Sequence, residues 1–244
     1  MVGGARVPLL DVPAEPAGAH TGMSASRLLR AGSAVVDFVD RGGILADLTE
    51  WATSGAGFAV RVVGGSGGSG KTRLAGEACR ALNDQTTVTD SPGWLTGFLH
   101  RDTTTDAITG LAALPVPRLV VVDYAETRTE QLSRLLPTLA HGATESTPVR
   151  VVLLVRQPAA ARPGRTTRGE NTWVDAVRPA SDEATDRILD AATSTILDDA
   201  TLTPADRAAL FDAAAAGFRR PDHPTTTTLP AGPDLSLPVF DQPL

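Results

Sequence analysis

Hydrophobic residues along the middle of the chain follow two alternating patterns. Apolar runs occur at 58–63, 119–122 and 149–155, with Arg61 and Arg150 as their only charged residues. Such runs predict strands buried on both faces of a parallel sheet. Between the runs, apolar residues recur every three or four positions, as on one face of a helix. Strands that alternate with helices predict an α/β fold, with a central parallel sheet and right-handed crossovers.

Helical periodicity marks three segments of this core. The helix after the first strand is expected to bury a face formed by Leu74, Ala75, Ala78, Cys79 and Leu82. A second helix is expected over 127–139. An alanine-rich helix is predicted over 204–218, with an inward face made of Leu210, Phe211, Ala214 and Phe218.

Shorter patterns precede these segments or lie between them. Leu45, Leu48 and Trp51 predict a helix ahead of the first strand, preceded by a short helix at 24–30 and a strand at 34–38. Residues 86–88 are the candidate for the second strand of the core. The cluster of Trp94, Leu95, Phe98 and Leu99 is expected in the core rather than on a base-stacking surface.

Composition divides the chain into five parts. Residues 1–22, rich in proline, glycine and alanine, predict a disordered arm. Helices leading into the core are expected over 23–57, the α/β core over 58–200 and a further helix over 201–219. The proline- and threonine-rich residues 220–244 predict a disordered tail.

A glycine-rich loop follows the first apolar run and matches G-x-x-x-x-G-K-S/T. Glycines let backbone N–H groups point inward around an anion, Lys71 would reach the β- and γ-phosphates, and Thr72 would bind Mg2+. Lys71 is the only lysine among 22 basic residues, at a position that suits a compact ammonium. A flexible linker is the alternative, but the flanking strand and helix favour a phosphate site. The predicted nucleotide-binding residues are Gly65, Ser66, Gly67, Gly68, Ser69, Gly70, Lys71, Thr72 and Arg73.

The second apolar run ends in Asp123, as a Walker B strand does. Asp123 is predicted to hold Mg2+ together with Thr72. Glu126 is predicted to orient and deprotonate the attacking water. In the alternative interpretation, Asp123 only ends a strand and Glu126 caps the following helix.

The third apolar run ends in Arg156, at the sheet edge where ligands of open α/β sheets bind. Arg156 is therefore a candidate γ-phosphate sensor, with a solvated surface arginine as the alternative. Arg162, Arg165 and Arg168 follow in a loop rich in glycine, proline and threonine, which favours flexibility over catalysis.

These motifs resemble the STAND branch of P-loop ATPases, signal-transduction switches that include NACHT and NB-ARC domains and are related to the AAA+ class. The strings GGSGGSGKTRLA at 64–75 and VVVDYAE at 120–126 carry the resemblance. Residues 38–45 are similar to the family's N-terminal F-V-G-R-E-x-E-L motif, from which Asp40 and Gly43 depart. The resemblance implies that residues 58–200 form a P-loop NTPase core with 195–197 as its last strand, and that residues 201–219 form a lid helix. It also implies ATP as the nucleotide, Mg2+ as its metal, a base-contacting Pro204 before the lid helix, and homo-oligomers on activation.

Composition predicts a globular protein of the cytoplasm. The net charge of −6, with 42% hydrophobic and 20% charged residues, is ordinary for such a domain and argues against generic nucleic-acid binding. No apolar run approaches the ~20 residues that span a bilayer, and the N-terminus lacks a signal-peptide pattern. The single cysteine, Cys79, forms no internal disulfide, and the four histidines lack metal-ligand spacing.

The sequence thus predicts an Mg-ATP-binding, slowly hydrolysing switch ATPase domain with Glu126 and Arg156 as its catalytic pair. A nucleotide-binding scaffold without turnover and a small-molecule kinase are the alternatives, and both ATP and GTP fit the loop. STAND proteins usually continue into a winged helix and then repeats or an effector domain. None is recognisable here, so either a fragment of a longer switch protein or a stand-alone module is expected.

Overall fold

A six-stranded sheet forms the centre of the fold. The computed structural model describes residues 10–11, 38–55, 57–85, 93–156, 172–179, 182–197 and 203–218. The strands are β1 (Leu10–Asp11), β2 (Phe58–Gly65), β3 (Leu95–Leu99), β4 (Arg118–Val122), β5 (Val149–Val155) and β6 (Thr193–Leu197). Their order across the sheet is β1-β3-β4-β5-β2-β6. The short β1 pairs antiparallel with β3, and the other neighbouring strands are parallel.

Helices connect the parallel strands. They are α1 (Ile44–Thr53), α2 (Lys71–Gln85), α3 (Thr105–Ala112), α4 (Thr129–His141), α5 (Thr172–Asp175), α6 (Glu183–Asp190) and α7 (Pro204–Phe218). Single 3-10 turns lie at Arg41–Gly43 and Ala125–Thr127. Among the helices of the described ranges, none combines the length and apolar character needed to cross a membrane.

The sheet carries a hydrophobic core on each face. Because successive strand residues point to opposite faces, Val120 and Val122 of β4 pack in the cluster that includes residues of α3, α4 and α6. Leu119 and Val121 pack in the second cluster, with residues of α1 and α2. Helices therefore cover both faces, and the predicted α/β three-layer sandwich with a central parallel sheet is confirmed.

The predicted secondary structure agrees best where apolar patterning is strongest. Strands β2, β4 and β5 fall on the three apolar runs, and the face of α2 formed by Leu74, Ala75, Ala78, Cys79 and Leu82 is buried. The helix expected over 127–139 begins two residues later, because a 3-10 turn separates it from β4.

Two strands differ from the expectation. The second core strand, β3, coincides with the apolar cluster at 94–99, whose residues pack in the core as predicted. The candidate at 86–88 lies outside the described residues, as do 24–30 and 34–37. Leu10 and Asp11 were expected in a disordered arm, but they pair with β3; an edge strand offers unpaired N–H and C=O groups for such pairing.

Helix α7 has the predicted bounds but not the predicted inward face. The Phe211 side chain is 40% exposed, so its expected burial is wrong. No described helix or strand packs extensively against α7, and an apolar face needs such a partner to be buried. The side chains of Ala214 and Phe218 lie outside the described set.

Candidate nucleotide-binding site

The strand order brings three predicted site segments to one edge of the sheet. Strand β5 lies between β2 and β4, so the glycine-rich loop after β2, Asp123 after β4 and Arg156 after β5 are neighbours. Between them is a cavity of about 640 Å³. It is lined by Gly67, Gly68, Gly70, Lys71, Thr72, Arg73, Asp123, Tyr124, Leu154 and Arg156.

The loop adopts a conformation that depends on its glycines. Gly68 and Gly70 have φ angles of +86° and +90°, in the region that residues with a Cβ avoid. Helix α2 begins at Lys71 directly after this turn. The N-terminus of a 15-residue helix therefore faces the cavity, and its backbone N–H groups carry partial positive charge that favours an anion there.

The Lys71 side chain is buried against the loop itself. Its Nζ donates hydrogen bonds of 2.7 Å to the carbonyl oxygens of Gly65 and Ser66, and one of 3.2 Å to Ser69 Oγ. An ammonium carries three protons, so these contacts hold it in a fixed position. The positive charge lies within the loop, beside the cavity.

Thr72 and Asp123 connect the two sequence motifs. Thr72 Oγ1 donates a hydrogen bond of 3.1 Å to Asp123 Oδ2. Both are the hard oxygen ligands that Mg2+ prefers, and neighbouring oxygens of an octahedral Mg2+ site lie about 2.9 Å apart. The pair therefore fits a shared Mg2+. The described residues contain no group of three metal-binding side chains, so remaining ligands would come from phosphate and water.

The residue after Asp123 has a strained backbone. Tyr124 has a φ angle of +54° and is the only non-glycine residue with positive φ in the described part of the chain. Its N–H donates a 2.9 Å hydrogen bond to Asp123 Oδ1. Such strain in a bulky residue is uncommon and is concentrated at functional sites. Here the hydrogen bond from the Tyr124 N–H fixes the orientation of the Asp123 carboxylate.

Glu126 contacts the end of the neighbouring strand. The N–H of Arg156 donates a 3.3 Å hydrogen bond to Glu126 Oε1. Glu126 Oε2 is buried and has no hydrogen-bond partner among the described residues. Glu126 lies in the 3-10 turn and does not cap α4, whose N-cap position is occupied by Arg128 without a side-chain cap. The capping alternative for Glu126 is therefore wrong.

The Arg156 guanidinium lies directly over the loop. A Cβ placed on Gly67 would be 2.9 Å from both Nε and Nη2 of Arg156. Arg156 is exposed and lines the cavity. Gly67 permits this approach because it has no side chain.

Arg128, which the sequence did not indicate, lies beside the site, with its Nη1 3.5 Å from the backbone carbonyl oxygen of Asp123. Its guanidinium is buried and donates to the carbonyl oxygens of Leu99 (3.0 Å) and His100 (2.9 Å). Burial lowers the pKa of Arg128, the charge of Arg101 lowers it further, and Asp123 opposes the shift. A lone arginine at the start of a predicted helix does not indicate that its side chain is buried and bonded to backbone carbonyl oxygens of another strand.

The structure brings together most of the predicted site residues. The loop, Lys71, Thr72, Asp123 and Arg156 line one cavity. Glu126 is not among its described lining residues and accepts a hydrogen bond from the Arg156 N–H. Arg73 lines the cavity, with its Nε 2.8 Å from Glu77 Oε1. Arg162, Arg165, Arg168 and the side chains of Arg41 and Pro204 lie outside the described set.

Comparison with known proteins gives only distant structural similarity. No family model and no curated protein matches the chain. The fold is similar to the Aeropyrum pernix ORC2 protein in ADPNP–ADP complexes, with a TM-score of 0.46, 14% identity and coverage of 67% of this chain and 49% of that chain. For AMPPCP-bound DnaA from Aquifex aeolicus the TM-score is 0.40 and the sequence identity 12%, and the match covers 72% of this chain and 51% of that chain. For C. elegans PCH-2 the TM-score is 0.33 and the sequence identity 14%, and the match covers 65% of this chain and 41% of that chain. The chain thus spans about half the length of the first two proteins and less of the third.

Proposed function

We propose that this chain is an Mg-ATP-binding, slowly hydrolysing switch ATPase domain of the STAND type. The observation that carries the proposal is the 3.1 Å hydrogen bond between Thr72 and Asp123. It joins the glycine-rich loop to the carboxylate after β4, in the arrangement that a magnesium–triphosphate site requires. Of the residues facing the cavity, Lys71 and Arg156 supply positive charge for a phosphate chain.

In this proposal the loop binds the β- and γ-phosphates. Backbone N–H groups around Gly68 and Gly70 and the N-terminus of α2 bind phosphate oxygens. Lys71 exchanges one of its loop carbonyl contacts for a phosphate oxygen. Thr72 and Asp123 hold Mg2+, which offsets the negative charge of the triphosphate.

Glu126 acts as the general base. A buried carboxylate oxygen without a partner is unfavourable, and Glu126 Oε2 has none among the described residues. A water molecule would satisfy this oxygen and be oriented by it for attack on the γ-phosphorus, with its proton passing to Glu126. Glu126 Oε1 is engaged by the Arg156 N–H. Because Glu126 is not among the described residues that line the cavity and its Oε2 is buried, it must move toward the cavity to act, which is a physical reason for slow turnover.

Arg156 distinguishes the triphosphate from the diphosphate state. Its guanidinium lies against Gly67 and would pair with γ-phosphate oxygens when they are present. Loss of the γ-phosphate removes that partner, so Arg156 and β5 would relax together with Glu126. Hydrolysis would then reset the switch rather than drive metabolism.

The STAND assignment rests on the two motif strings and on the resemblance they carry. Following that resemblance, Pro204 contacts the base, α7 forms the lid and activation assembles a homo-oligomer. Following the composition, the domain works in the cytoplasm. Each of these is part of the proposal.

The test of the proposed chemistry is phosphate release by Glu126→Gln. We expect nucleotide affinity to stay within about threefold of the native value while turnover falls by about 10²-fold or more, since general-base catalysis contributes about 10²–10⁴-fold. Glu130→Gln is the matched control, because Glu130 is exposed on α4 and pairs with Arg134. Native turnover in Glu126→Gln would contradict the proposed role.

A nucleotide-binding scaffold without turnover is the second candidate. It is favoured by the same Glu126–Arg156 contact, which keeps the carboxylate on β5 if nothing releases it. In that case the native protein retains ATP after purification, and phosphate release stays at the level of Glu126→Gln. Turnover well above that level excludes the scaffold.

A further inference from the structure

Gly64, the last residue but one of β2, lies against an indole ring. A Cβ placed on Gly64 would be 2.4 Å from Cδ2, 2.5 Å from Cε3 and 3.0 Å from Cε2 of Trp173. The ring of Trp173 therefore occupies the space in which any other residue at position 64 would place its side chain. None of the roles in the proposed ATPase is assigned to Trp173.

The ring, and not the backbone, accounts for a glycine at position 64. Gly64 is not among the described glycines with a positive φ angle, so its conformation is open to residues with a Cβ. It also precedes Gly65, the first glycine of the phosphate-loop motif, so the motif does not require it. Glycine inside a strand is unfavourable and often marks a place where another group approaches closely. Here that group is Trp173.

The start of the glycine-rich loop is also held at its edges. In the sheet, Gly64 pairs with Val155 of β5 on one side and with Ile196 of β6 on the other. A Cβ on Gly65 would be 2.5 Å from the carbonyl oxygen of Leu197. Both glycines are buried. The chain that leads into the loop is therefore fixed by two strands at its edges and by the ring on one face.

The contact with Trp173 lies one residue from a carbonyl group that binds Lys71. The Gly65 carbonyl oxygen accepts a 2.7 Å hydrogen bond from Lys71 Nζ. A shift of Gly64 would be transmitted to Gly65 through the peptide bond between them, because that bond is planar and stiff. Such a shift would move the Lys71 ammonium relative to a bound phosphate.

Trp173 itself is held by contacts outside the loop. It lies in α5, which has four residues, too few for a helix that is stable by itself. The adjacent Val174 is buried in the core. Asp175 Oδ1 is 2.9 Å from Arg178 Nε, and Arg178 Nη2 is 2.6 Å from Asp190 Oδ1 of α6. Core packing and ion pairs thus fix the position from which the ring contacts β2.

We propose that Trp173 is a positioning residue of the nucleotide site. Its ring holds Gly64, and through it Gly65 and Lys71, in the arrangement that binds the β- and γ-phosphates. A binding site must be held within about 0.5 Å of its productive geometry, so loss of the ring weakens nucleotide binding in a chain that remains folded. The inference rests on the proposed nucleotide function and deepens it, because it assigns the geometry of the loop to a residue outside the motif.

The test compares Trp173→Leu with Trp94→Leu in the full chain. Trp94 is the matched control, because it is partly buried at the amino end of β3 and packs in the cluster on the other face of the sheet. Calorimetric titration should show Mg-ATP affinity about tenfold lower in Trp173→Leu, since a misplaced binding group loses much of its effect. Trp94→Leu should stay within about twofold of the native value, as expected for a distant site.

A second readout needs no nucleotide. Hydrogen–deuterium exchange of the nucleotide-free chain should be faster over residues 64–72 in Trp173→Leu, because a loosened loop opens more often. Exchange over the same residues should be native in Trp94→Leu. A tryptophan that only fills the core would change the free energy of unfolding in both variants and leave the affinity of the folded chain unchanged.

Gly64→Ala produces the same disturbance from the side of the loop. Its methyl group would overlap the ring, so we expect Mg-ATP affinity to fall by about tenfold. When Gly64→Ala and Trp173→Leu are combined, the methyl group has no ring to meet, so the two losses should not multiply. Losses that do multiply would mean that the residues act independently, which overturns the inference.

Native Mg-ATP affinity in a folded Trp173→Leu chain also overturns the inference, as does native exchange over residues 64–72 in that variant. If Trp173→Leu does not fold, Gly64→Ala takes its place, with native affinity as the overturning result. Failure of the proposed function is distinguishable from these outcomes. A native chain that binds no Mg-ATP would overturn that function, whereas faster exchange in Trp173→Leu would still support the hold of the ring on the loop.

Discussion

At the scale of single residues, the two central glycines of the loop serve different purposes. Gly67 has an ordinary backbone conformation, but a Cβ there would meet the Arg156 guanidinium at 2.9 Å. Gly68 has open space around it, but its φ angle is +86°. One glycine therefore makes room for a side chain, and the other makes the turn.

Replacing Gly67 by alanine tests the sensor role of Arg156. The methyl group should displace the flexible end of Arg156 with little effect on the free energy of unfolding, within about 0.5 kcal/mol. We expect the ratio of ATP to ADP affinity to fall by about tenfold, toward the ratio in Arg156→Gln, because a charge-assisted contact is lost. Competitive titration of a fluorescent nucleotide measures this ratio.

Gly68→Ala is the matched control. This substitution strains the turn instead of displacing Arg156, so it should weaken the binding of ATP and of ADP to a similar extent. If Gly67→Ala kept the native ratio of ATP to ADP affinity while Arg156→Gln reduced it, the contact of Arg156 with Gly67 would have no part in sensing the γ-phosphate.

Cys79 gives a prediction for the dependence of stability on pH. Burial raises the pKa of its thiol to about 11, against the opposing effects of a hydrogen bond with Thr96 and the charge of Arg80. Between about pH 9 and pH 11 the unfolded chain releases this proton more readily than the folded chain. Folding stability contributed by the neutral thiol is therefore present below about pH 9 and is lost as the pH rises through 11, by up to about 3 kcal/mol.

The measurement is urea unfolding of the native chain and Cys79→Ala at several pH values. The stability advantage of the native chain should shrink between pH 9 and 11, because alanine has no proton to lose. An advantage that stays constant over this range would contradict the shifted pKa.

At the scale of elements, two buried arginines fasten loops at the amino ends of β4 and β5. Arg118 donates to the carbonyl oxygens of Leu111 and Ala112, both at 2.7 Å, and to those of Gly142 and Thr147. Arg150 donates hydrogen bonds to the carbonyl oxygens of Ser54, Gly55 and Gly57. Burial lowers the pKa of each arginine. Backbone carbonyls, rather than carboxylates, receive their hydrogen bonds.

Arg118→Met should therefore destabilise the fold strongly. Methionine fills part of the space but leaves up to four carbonyl oxygens without their donor, and we expect a loss of about 3 kcal/mol of unfolding free energy. Arg134→Met, at an exposed ion pair of α4, should cost less than about 1 kcal/mol. Chemical denaturation compares the two variants, and equal losses would rule out the proposed fastening role of Arg118.

Prediction of elements from the sequence succeeded where burial alone determines the pattern. Strands β2, β4 and β5 are largely buried on both faces, so apolar residues predominate in them and each contains a single charged residue, Arg61, Arg118 or Arg150. Strand β3 contains Thr96 and Gly97 between its apolar residues, and β1 has only two residues, so neither has a comparable pattern. The prediction of an inward face for α7 was wrong at Phe211, because periodicity cannot show whether another element packs against the helix.

At the scale of the whole molecule, the order of the strands determines the site. The sequence predicted the loop, Asp123 and Arg156 because each lies at the end of an apolar run. It could not predict the contact of Arg156 with Gly67 or that of its N–H with Glu126, since both depend on β5 lying between β2 and β4. The contacts of Arg128 with Leu99 and His100 likewise arise only when residues distant in sequence come together.

The measurement that tests the central claim most directly is binding of a fluorescent ATP analogue, with and without Mg2+, to the native chain and to Lys71→Ala. We expect the native chain to bind it more tightly when Mg2+ is present, because Thr72 and Asp123 would share the ion with the phosphates. Lys71→Ala should remain folded and lose the binding. A folded native chain that binds no nucleotide, or that binds equally well without Lys71, would contradict the nucleotide-switch account.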